Sequence, residues 1–386
     1  MKKILTLLAV CLCSLIVTAQ ELGIHFQKLS WAEAVKKAKA ENKLIFVDFY
    51  TQWCGPCMNM AKQVFVLPNV GHYYNQTFVN LKIDAENVDG IGLAKKYGVR
   101  SYPTYAYIDP TTEEMVHRSG SRQSAEQFIQ TGKDANIPNK RSFYLQQQYN
   151  KGNRERSFLI DYILYNHSIY ARANVQTAFN ELLSGGAKLT ETDIWSTYEK
   201  CILGMNSYLK QVSDEYNQFC QLFGKKNVDE KLKKETAYGN IDEIKALCDF
   251  EGKKFNCKMI EIENQLRSKN YPKAIEMIDA MIADSSVNQQ DLINRLKFIA
   301  RVSYNADKMP DEWFYKCIEY LRYIAYNQKD RDDAYIHQEY AAALELLIQR
   351  VHTGNEIPPF ILQAPTSGKT IYNMRPDELK AKPKKK

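Results

Sequence analysis

Two closely spaced cysteines are the residues of this chain best suited to chemistry, and they occur in the run Trp53-Cys54-Gly55-Pro56-Cys57. A thiolate is a nucleophile, and two neighbouring thiols of different reactivity are what reversible disulfide exchange requires. A zinc site would need a second pair of ligands, and the sequence offers none at a suitable spacing. A purely structural disulfide is the remaining alternative, and the Gly-Pro insert disfavours it.

The segments on either side of this motif predict how it is held. The run from Lys43 to Tyr50 is rich in β-branched and aromatic residues, which predicts a buried strand. The residues from Met58 to Val66 predict a helix. The first cysteine would then lie at a helix N-terminus, where backbone N–H groups and the helix dipole stabilise a thiolate. The second cysteine would follow one turn later, close enough to form a disulfide.

The surrounding sequence resembles the thioredoxin family over about residues 25–135. The resemblance implies an α/β thioredoxin fold, with a central mixed sheet flanked by helices. The sequence is similar above all to periplasmic members of the family, which also begin with an amphipathic helix (here 31–40). The segments that carry the resemblance are 47–57 (first central strand and active-site turn), 78–84 (next strand), 95–104 (approach to a cis-proline), 105–109 (following strand), and Gly120 with 124–131 (closing helix).

The resemblance also implies roles for individual residues. Cys54 attacks a substrate disulfide and Cys57 resolves the mixed disulfide. Asp48, in the middle of the predicted strand, carries the proton of Cys57, because burial would raise its pKa; the alternative is a carboxylate that faces solvent at a strand edge. Pro103 is the cis-proline, which presents the Tyr102 backbone to a substrate strand; the alternative is a trans proline in a turn.

Five further residues are implied at the substrate-binding surface. Trp53 could equally be an ordinary core or surface tryptophan. The set is Trp53, Gly55, Pro56, Tyr102 and Thr104.

The N-terminus is typical of an exported protein. Lys2 and Lys3 precede an apolar run from Ile4 to Val17, which is too short to span a bilayer. Small residues before Gln20 predict cleavage after Ala19. A lipoprotein signal ending at Cys11 is disfavoured, because the apolar run before it is very short. We therefore expect a periplasmic protein without a stable membrane span in its mature form.

The remaining chain predicts a second, all-helical domain. From Arg141 onward the apolar residues follow helical spacing, glycines and prolines punctuate the segments, and 270–279 and 338–347 faintly resemble tetratricopeptide helices. The lysine-rich ending predicts a disordered tail. We divide the chain into a signal peptide (1–19), a thioredoxin-like domain (20–137), a helical domain (138–357) and a basic tail (358–386).

Together these features predict a periplasmic thiol-disulfide oxidoreductase that reduces protein disulfides through the Cys54–Cys57 pair. A disulfide oxidase or isomerase of the same fold, or a non-catalytic scaffold that binds partners, are the alternatives. The expected partners are disulfide-containing envelope proteins and a membrane electron donor, with no cofactor, no metal and no nucleic acid. The helical domain would select substrates or merely stabilise the protein.

Overall fold

The protein is described here by a computed structural model that covers residues 23–302, 308–329 and 334–352. The expected signal peptide and basic tail lie outside these residues. The described residues form two compact units, which divide between Leu203 and Gly204. The first contains a mixed sheet with helices and the second is helical throughout its described part, as the sequence predicts.

A four-stranded sheet organises the first unit. Its order is β2-β1-β3-β4, with β1 parallel to β2 and antiparallel to β3, and β3 antiparallel to β4. The strands are β1 (Leu44–Tyr50), β2 (Phe78–Asp84), β3 (Thr104–Ile108) and β4 (Met115–Gly120). The resemblance correctly predicted a central mixed sheet, but the sequence analysis did not identify β4.

Five helices cover the two faces of this sheet. On one face lie α1 and α4, and on the other lie α2, α3 and α5. Their bounds are α1 (Trp31–Glu41), α2 (Gly55–Gln63), α3 (Pro68–Thr77), α4 (Val88–Lys96) and α5 (Ala125–Asn136). The helix predicted at 58–66 therefore begins and ends three residues earlier, and α3 was not predicted.

Strand β1 has apolar residues on both faces because it lies in the middle of the sheet. Ile45, Val47 and Phe49 pack under α1 and α4, whereas Leu44 and Phe46 pack under α2, α3 and α5. Successive side chains of a strand point to opposite faces, so a continuous apolar run is what a strand covered on both sides requires. The next residue of the second set is the carboxylate Asp48.

Four more helices complete the first unit, and the first of them is fixed to β4. The backbone N–H of Ser142 donates to Nδ1 of His117 (3.0 Å), and the N–H of Arg118 donates to the Ser142 hydroxyl (2.9 Å). This pair of bonds satisfies polar groups both of a helix start and of the edge strand. The helices are α6 (Ser142–Asn150), α7 (Arg156–Ser168), α8 (Arg172–Ser184) and α9 (Thr192–Cys201).

The second unit contains nine helices in its described part. They are α10 (Ser207–Asp214), α11 (Tyr216–Phe223), α12 (Lys225–Glu235), α13 (Ile241–Lys245), α14 (Lys253–Arg267), α15 (Tyr271–Ala283), α16 (Gln289–Ile299), α17 (Asp311–Asn327) and α18 (Ala334–His352). The segments 270–279 and 338–347 are helical as predicted. Among the residues described, no helix is long and apolar enough to span a membrane.

Two segments of the helical region contain breaks. The stretch 194–223 is divided into α9, α10 and α11. Residues 246–252 separate α13 from α14, and the φ of 94° at Gly252 lies in the left-handed region that glycine favours. The chain divides into compact units after Leu203; the domain boundary proposed at 137/138 stays a prediction.

Candidate functional site

The two cysteines lie where β1 ends and α2 begins. Cys54 is the N-cap residue of α2, and Pro56 occupies the first turn, where its missing N–H costs no hydrogen bond. The backbone N–H of Cys57 donates to Sγ of Cys54 (3.1 Å). The two sulfurs are joined as a disulfide, with a Cα–Cα distance of 5.3 Å. The helix N-terminus thus gives the sulfur of Cys54 one backbone hydrogen-bond donor and the positive end of the helix dipole, as the sequence predicts.

Solvent exposure does not distinguish the two cysteines in this oxidised form. Both residues are 3% exposed. The difference between them is positional, because Cys54 caps the helix and Cys57 lies inside its first turn. Gly55 and Pro56 are exposed beside them.

Asp48 is a buried carboxylate on the face of β1 that packs against α2. It is 1% exposed, and neither carboxylate oxygen has a hydrogen-bond partner. Its nearest cation is Lys82 on β2, with Nζ 3.9 Å from Oδ2. Burial raises the pKa of Asp48 to about 7, and the charge of Lys82 opposes that rise. A carboxyl group with this pKa can both accept and release a proton near neutral pH.

The loop before β3 contains a cis peptide bond between Tyr102 and Pro103, as the resemblance implied. Gly120 packs so closely behind it that a Cβ atom would lie 2.8 Å from the Pro103 carbonyl oxygen. The Ser121 N–H also donates to that oxygen (3.4 Å). Thr104 is 1% exposed, and its hydroxyl donates to the carbonyl of Ser101 (2.7 Å). Thr104 therefore holds the shape of the loop, and a direct contact with substrate stays a prediction.

Trp53 is an exposed aromatic residue at the rim of the site. It is 68% exposed, its Nε1 donates to the carboxylate of Glu86 (2.9 Å), and its ring lies edge-on to that of Tyr102 with centroids 6.0 Å apart. The alternative of a core tryptophan is therefore wrong. Whether Trp53 contacts partners stays a prediction, as do the roles assigned to the other residues of the site.

Sequence reasoning missed two residues that shape this site, Lys82 on β2 and Glu86 just after it, and it grouped Gly120 with the closing helix, whereas Gly120 ends β4. Lys82 could have been found, because a lysine in a largely apolar predicted strand needs a partner charge wherever it is buried. Nothing in the sequence pairs Glu86 with Trp53 or Gly120 with Pro103, since those contacts depend on the order of the strands.

The helical region does not supply a second site of the same kind. The cysteines Cys201, Cys220, Cys248, Cys257 and Cys317 are not joined in disulfides. Within the described ranges, no group of three or more His, Cys, Asp or Glu side chains is arranged to hold a metal ion.

Comparison with known proteins agrees with this geometry. A family profile described as thioredoxin-like matches residues 26–110. Thioredoxin H4 of Arabidopsis thaliana is 30% identical over 89 residues, which are 23% of this chain and 70% of that protein. A thioredoxin-like protein of Synechocystis is 34% identical over 103 residues, 27% of this chain and 91% of that protein.

One solved structure, a disulphide-isomerase candidate from Bacteroides thetaiotaomicron, is 44% identical over 30% of this chain and 96% of its own, with a TM-score of 0.28. Each of these three matches covers less than a third of this chain. Because the matched residues include the cysteine motif, the buried aspartate and the cis-proline, the chain belongs to the thioredoxin family: it is a thioredoxin-like thiol-disulfide oxidoreductase, with a Cys54–Cys57 disulfide, that continues into a large helical region.

Proposed function

We propose that this protein is a periplasmic reductase of protein disulfides. The observation that carries the proposal is the position of Cys54 as the cap of α2, with the Cys57 N–H on its sulfur and a buried carboxyl group of pKa about 7 in the strand that leads to it. The position of Cys54 at the helix N-terminus stabilises a thiolate on this residue. The buried carboxyl group of Asp48 can remove a proton from Cys57.

The reaction runs in two exchanges. The Cys54 thiolate attacks one sulfur of a substrate disulfide, forms a mixed disulfide and releases the other substrate sulfur as a thiolate. Cys57 then passes its proton to the Asp48 carboxylate and attacks Sγ of Cys54, which releases the second substrate thiol. The substrate gains two electrons, and the Cys54–Cys57 disulfide forms. A membrane electron donor would return those two electrons.

The substrate segment would bind along the loop that contains the cis peptide bond. The backbone N–H and C=O groups of Tyr102 would pair with the substrate as in a strand, and the exposed ring of Trp53 lies beside the ring of Tyr102. Export rests on the basic and apolar N-terminus with its small residues before Gln20. It places the expected substrates, disulfide-containing envelope proteins, in the same compartment.

The reduction potential of the Cys54–Cys57 pair tests the direction of the reaction. A value near that of thioredoxin, about −270 mV, supports a reductase. A value of about −180 to −120 mV would instead indicate an isomerase or oxidase. A Cys57→Ala variant should remain attached to its substrates through Cys54, and recovery of cytosolic proteins rather than envelope proteins in this trap would contradict the proposed location.

A further inference from the structure

The edge of the sheet that holds the cysteines carries opposite charges on its two sides. Residue pairing places the end of β1 beside the end of β2 (Tyr50 with Asp84), the start of β3 beside β1 (Thr104 with Phe49), and the end of β4 beside β3 (Gly120 with Thr104). Across this edge the order is therefore the end of β2, the disulfide, the cis-proline loop and the end of β4. Three strand spacings of about 4.8 Å give a width of about 14 Å.

The side toward β2 is acidic. Asp84 accepts a hydrogen bond from the Gln52 side chain (3.4 Å), and Glu86 accepts one from Trp53, so both carboxylates are attached to the active-site turn. Asp89 follows in the first turn of α4. Residues 83–94 contain no lysine or arginine. Trp53 and Val88, which is 85% exposed, give this side an apolar surface as well.

The side toward β4 is basic, and part of it comes from the helical region. The hydroxyl of Tyr170, in the turn between α7 and α8, donates to the backbone carbonyl of Arg122 (3.3 Å). Arg122 directly follows Ser121, which binds the Pro103 carbonyl. Arg172 follows two residues after Tyr170. Both arginines are exposed, and neither forms an ion pair with a described residue.

This side also has few opposing charges and its own aromatic residue. Residues 115–125 and 166–180 contain no carboxylate, and the neighbouring Glu126 is held at the Ser124 cap. Tyr170 is 59% exposed and has a φ of 58°, which is uncommon for a residue other than glycine. Each side of the disulfide therefore combines an exposed aromatic ring with charge of one sign.

We propose that this edge binds an extended substrate segment that has cationic side chains on one side of its cysteine and anionic side chains on the other. The cationic part of the substrate segment lies over Asp84, Glu86 and Trp53, and its anionic part lies over Arg122, Arg172 and Tyr170. An extended segment of about five residues spans the 14 Å between them. The order of charge, rather than net charge, selects the substrate. This inference rests on the proposed reductase function.

Two peptides of identical composition test the charge order. Each has one cysteine in a mixed disulfide with 2-mercaptoethanol; one has three lysines before it and three glutamates after it, and the other has the reverse. With the full-length reduced protein at low salt, we expect the rates of reduction to differ about fivefold or more. The ratio should approach one at about 1 M salt, where the Debye length is about 3 Å.

A charge swap that conserves net charge provides the decisive variant. In the double variant Glu86→Lys/Arg122→Glu the ratio of the two rates should fall close to one, because the new lysine offsets Asp84 and the new glutamate offsets Arg172. The matched control is Lys39→Glu/Glu114→Lys, whose residues precede β1 and β4 at the opposite edge of the sheet, and it should keep the wild-type ratio. Equal wild-type rates for the two peptides, or an unchanged preference in the swapped variant, would overturn the charge order. Failure to reduce either peptide or hydroxyethyl disulfide would instead overturn the reductase function.

Discussion

The cysteines of the sheet and those of the helical region show how position determines the chemistry of one residue type. Cys54 caps a helix and accepts an N–H bond. Burial raises the pKa of Cys248, Cys257 and Cys317, and Cys317 is fully buried. The helix N-terminus at Cys54 stabilises a thiolate, whereas the burial of Cys248, Cys257 and Cys317 opposes thiolate formation. Among the described cysteines, position therefore favours Cys54 as the nucleophile.

Buried charged residues also have different surroundings in the two units. In the sheet, Asp48 has no hydrogen-bond partner and a raised pKa. In the helical unit, Lys231 and Glu235, one turn apart on α12, form a fully buried ion pair (2.9 Å). A buried carboxyl group without a hydrogen bond decreases stability and is available for proton transfer, whereas a carboxylate in a close, buried ion pair loses stability when its partner is removed.

Removing Cys54 should have the largest effect and would separate the two sets of cysteines most clearly. We expect Cys54→Ser to lower the rate of disulfide reduction at least about 1,000-fold, because the attacking thiolate is lost. The triple variant Cys220→Ser/Cys248→Ser/Cys257→Ser should stay within about twofold of the wild type. A standard insulin-reduction assay measures both, and a comparable loss in the triple variant would contradict the assignment.

Breaking the buried ion pair of α12 should destabilise the helical unit. Lys231→Met leaves Glu235 buried without its cation, which typically costs about 3–5 kcal/mol in the free energy of unfolding. Denaturant titration, followed in the second unit, measures this loss. The control is Lys226→Met on the same helix, whose side chain is 87% exposed; we expect a change below about 0.5 kcal/mol. Similar losses in the two variants would show that the buried pair has no special role.

Asp48→Asn should stabilise the folded protein, in contrast to Lys231→Met, and the gain in stability should depend on pH. The folded protein holds the Asp48 proton up to about pH 7, whereas the unfolded chain releases it near pH 4. Ionisation therefore favours unfolding increasingly between pH 4 and pH 7. The oxidised Asp48→Asn variant should match the wild type below pH 4 and be more stable by about 4 kcal/mol above pH 7. Thermal unfolding at several pH values measures this, and a constant difference would contradict the raised pKa.

Alkylation of the reduced protein should show the smallest effect, but it compares the thiols most directly. Near neutral pH we expect Cys54 to be modified first, because the helix N-terminus stabilises its thiolate, and Cys317 last, because burial raises its pKa and blocks access. We expect the alkylation rates of Cys54 and Cys317 to differ by a factor of at least several tens. Limited alkylation followed by mass spectrometry gives the order. Modification of Cys57 or a helical cysteine before Cys54 would reverse the assigned roles.

The amino-acid sequence by itself determined the elements closest to the chemistry. The apolar run of β1 predicted a buried strand, and the Cys-Gly-Pro-Cys spacing predicted a helix start with a disulfide, because local preferences act over a few residues. The helical region was predicted as a class, and Gly252 is one of the glycines that punctuate it, but the break at 202–206 was not predicted. Helical periodicity continues across a short turn, so the sequence pattern alone does not locate it.

Contacts between distant segments were decided by the tertiary structure alone. The pairing of Glu86 with Trp53, of Gly120 with the Pro103 carbonyl and of Tyr170 with Arg122 joins residues that are 33, 17 and 48 positions apart. Strand order brings the first two pairs to one edge of the sheet, and the packing of α7 and α8 beside it brings the third. The sequence thus determined where a reactive thiol could form, and the fold decided which charges surround it.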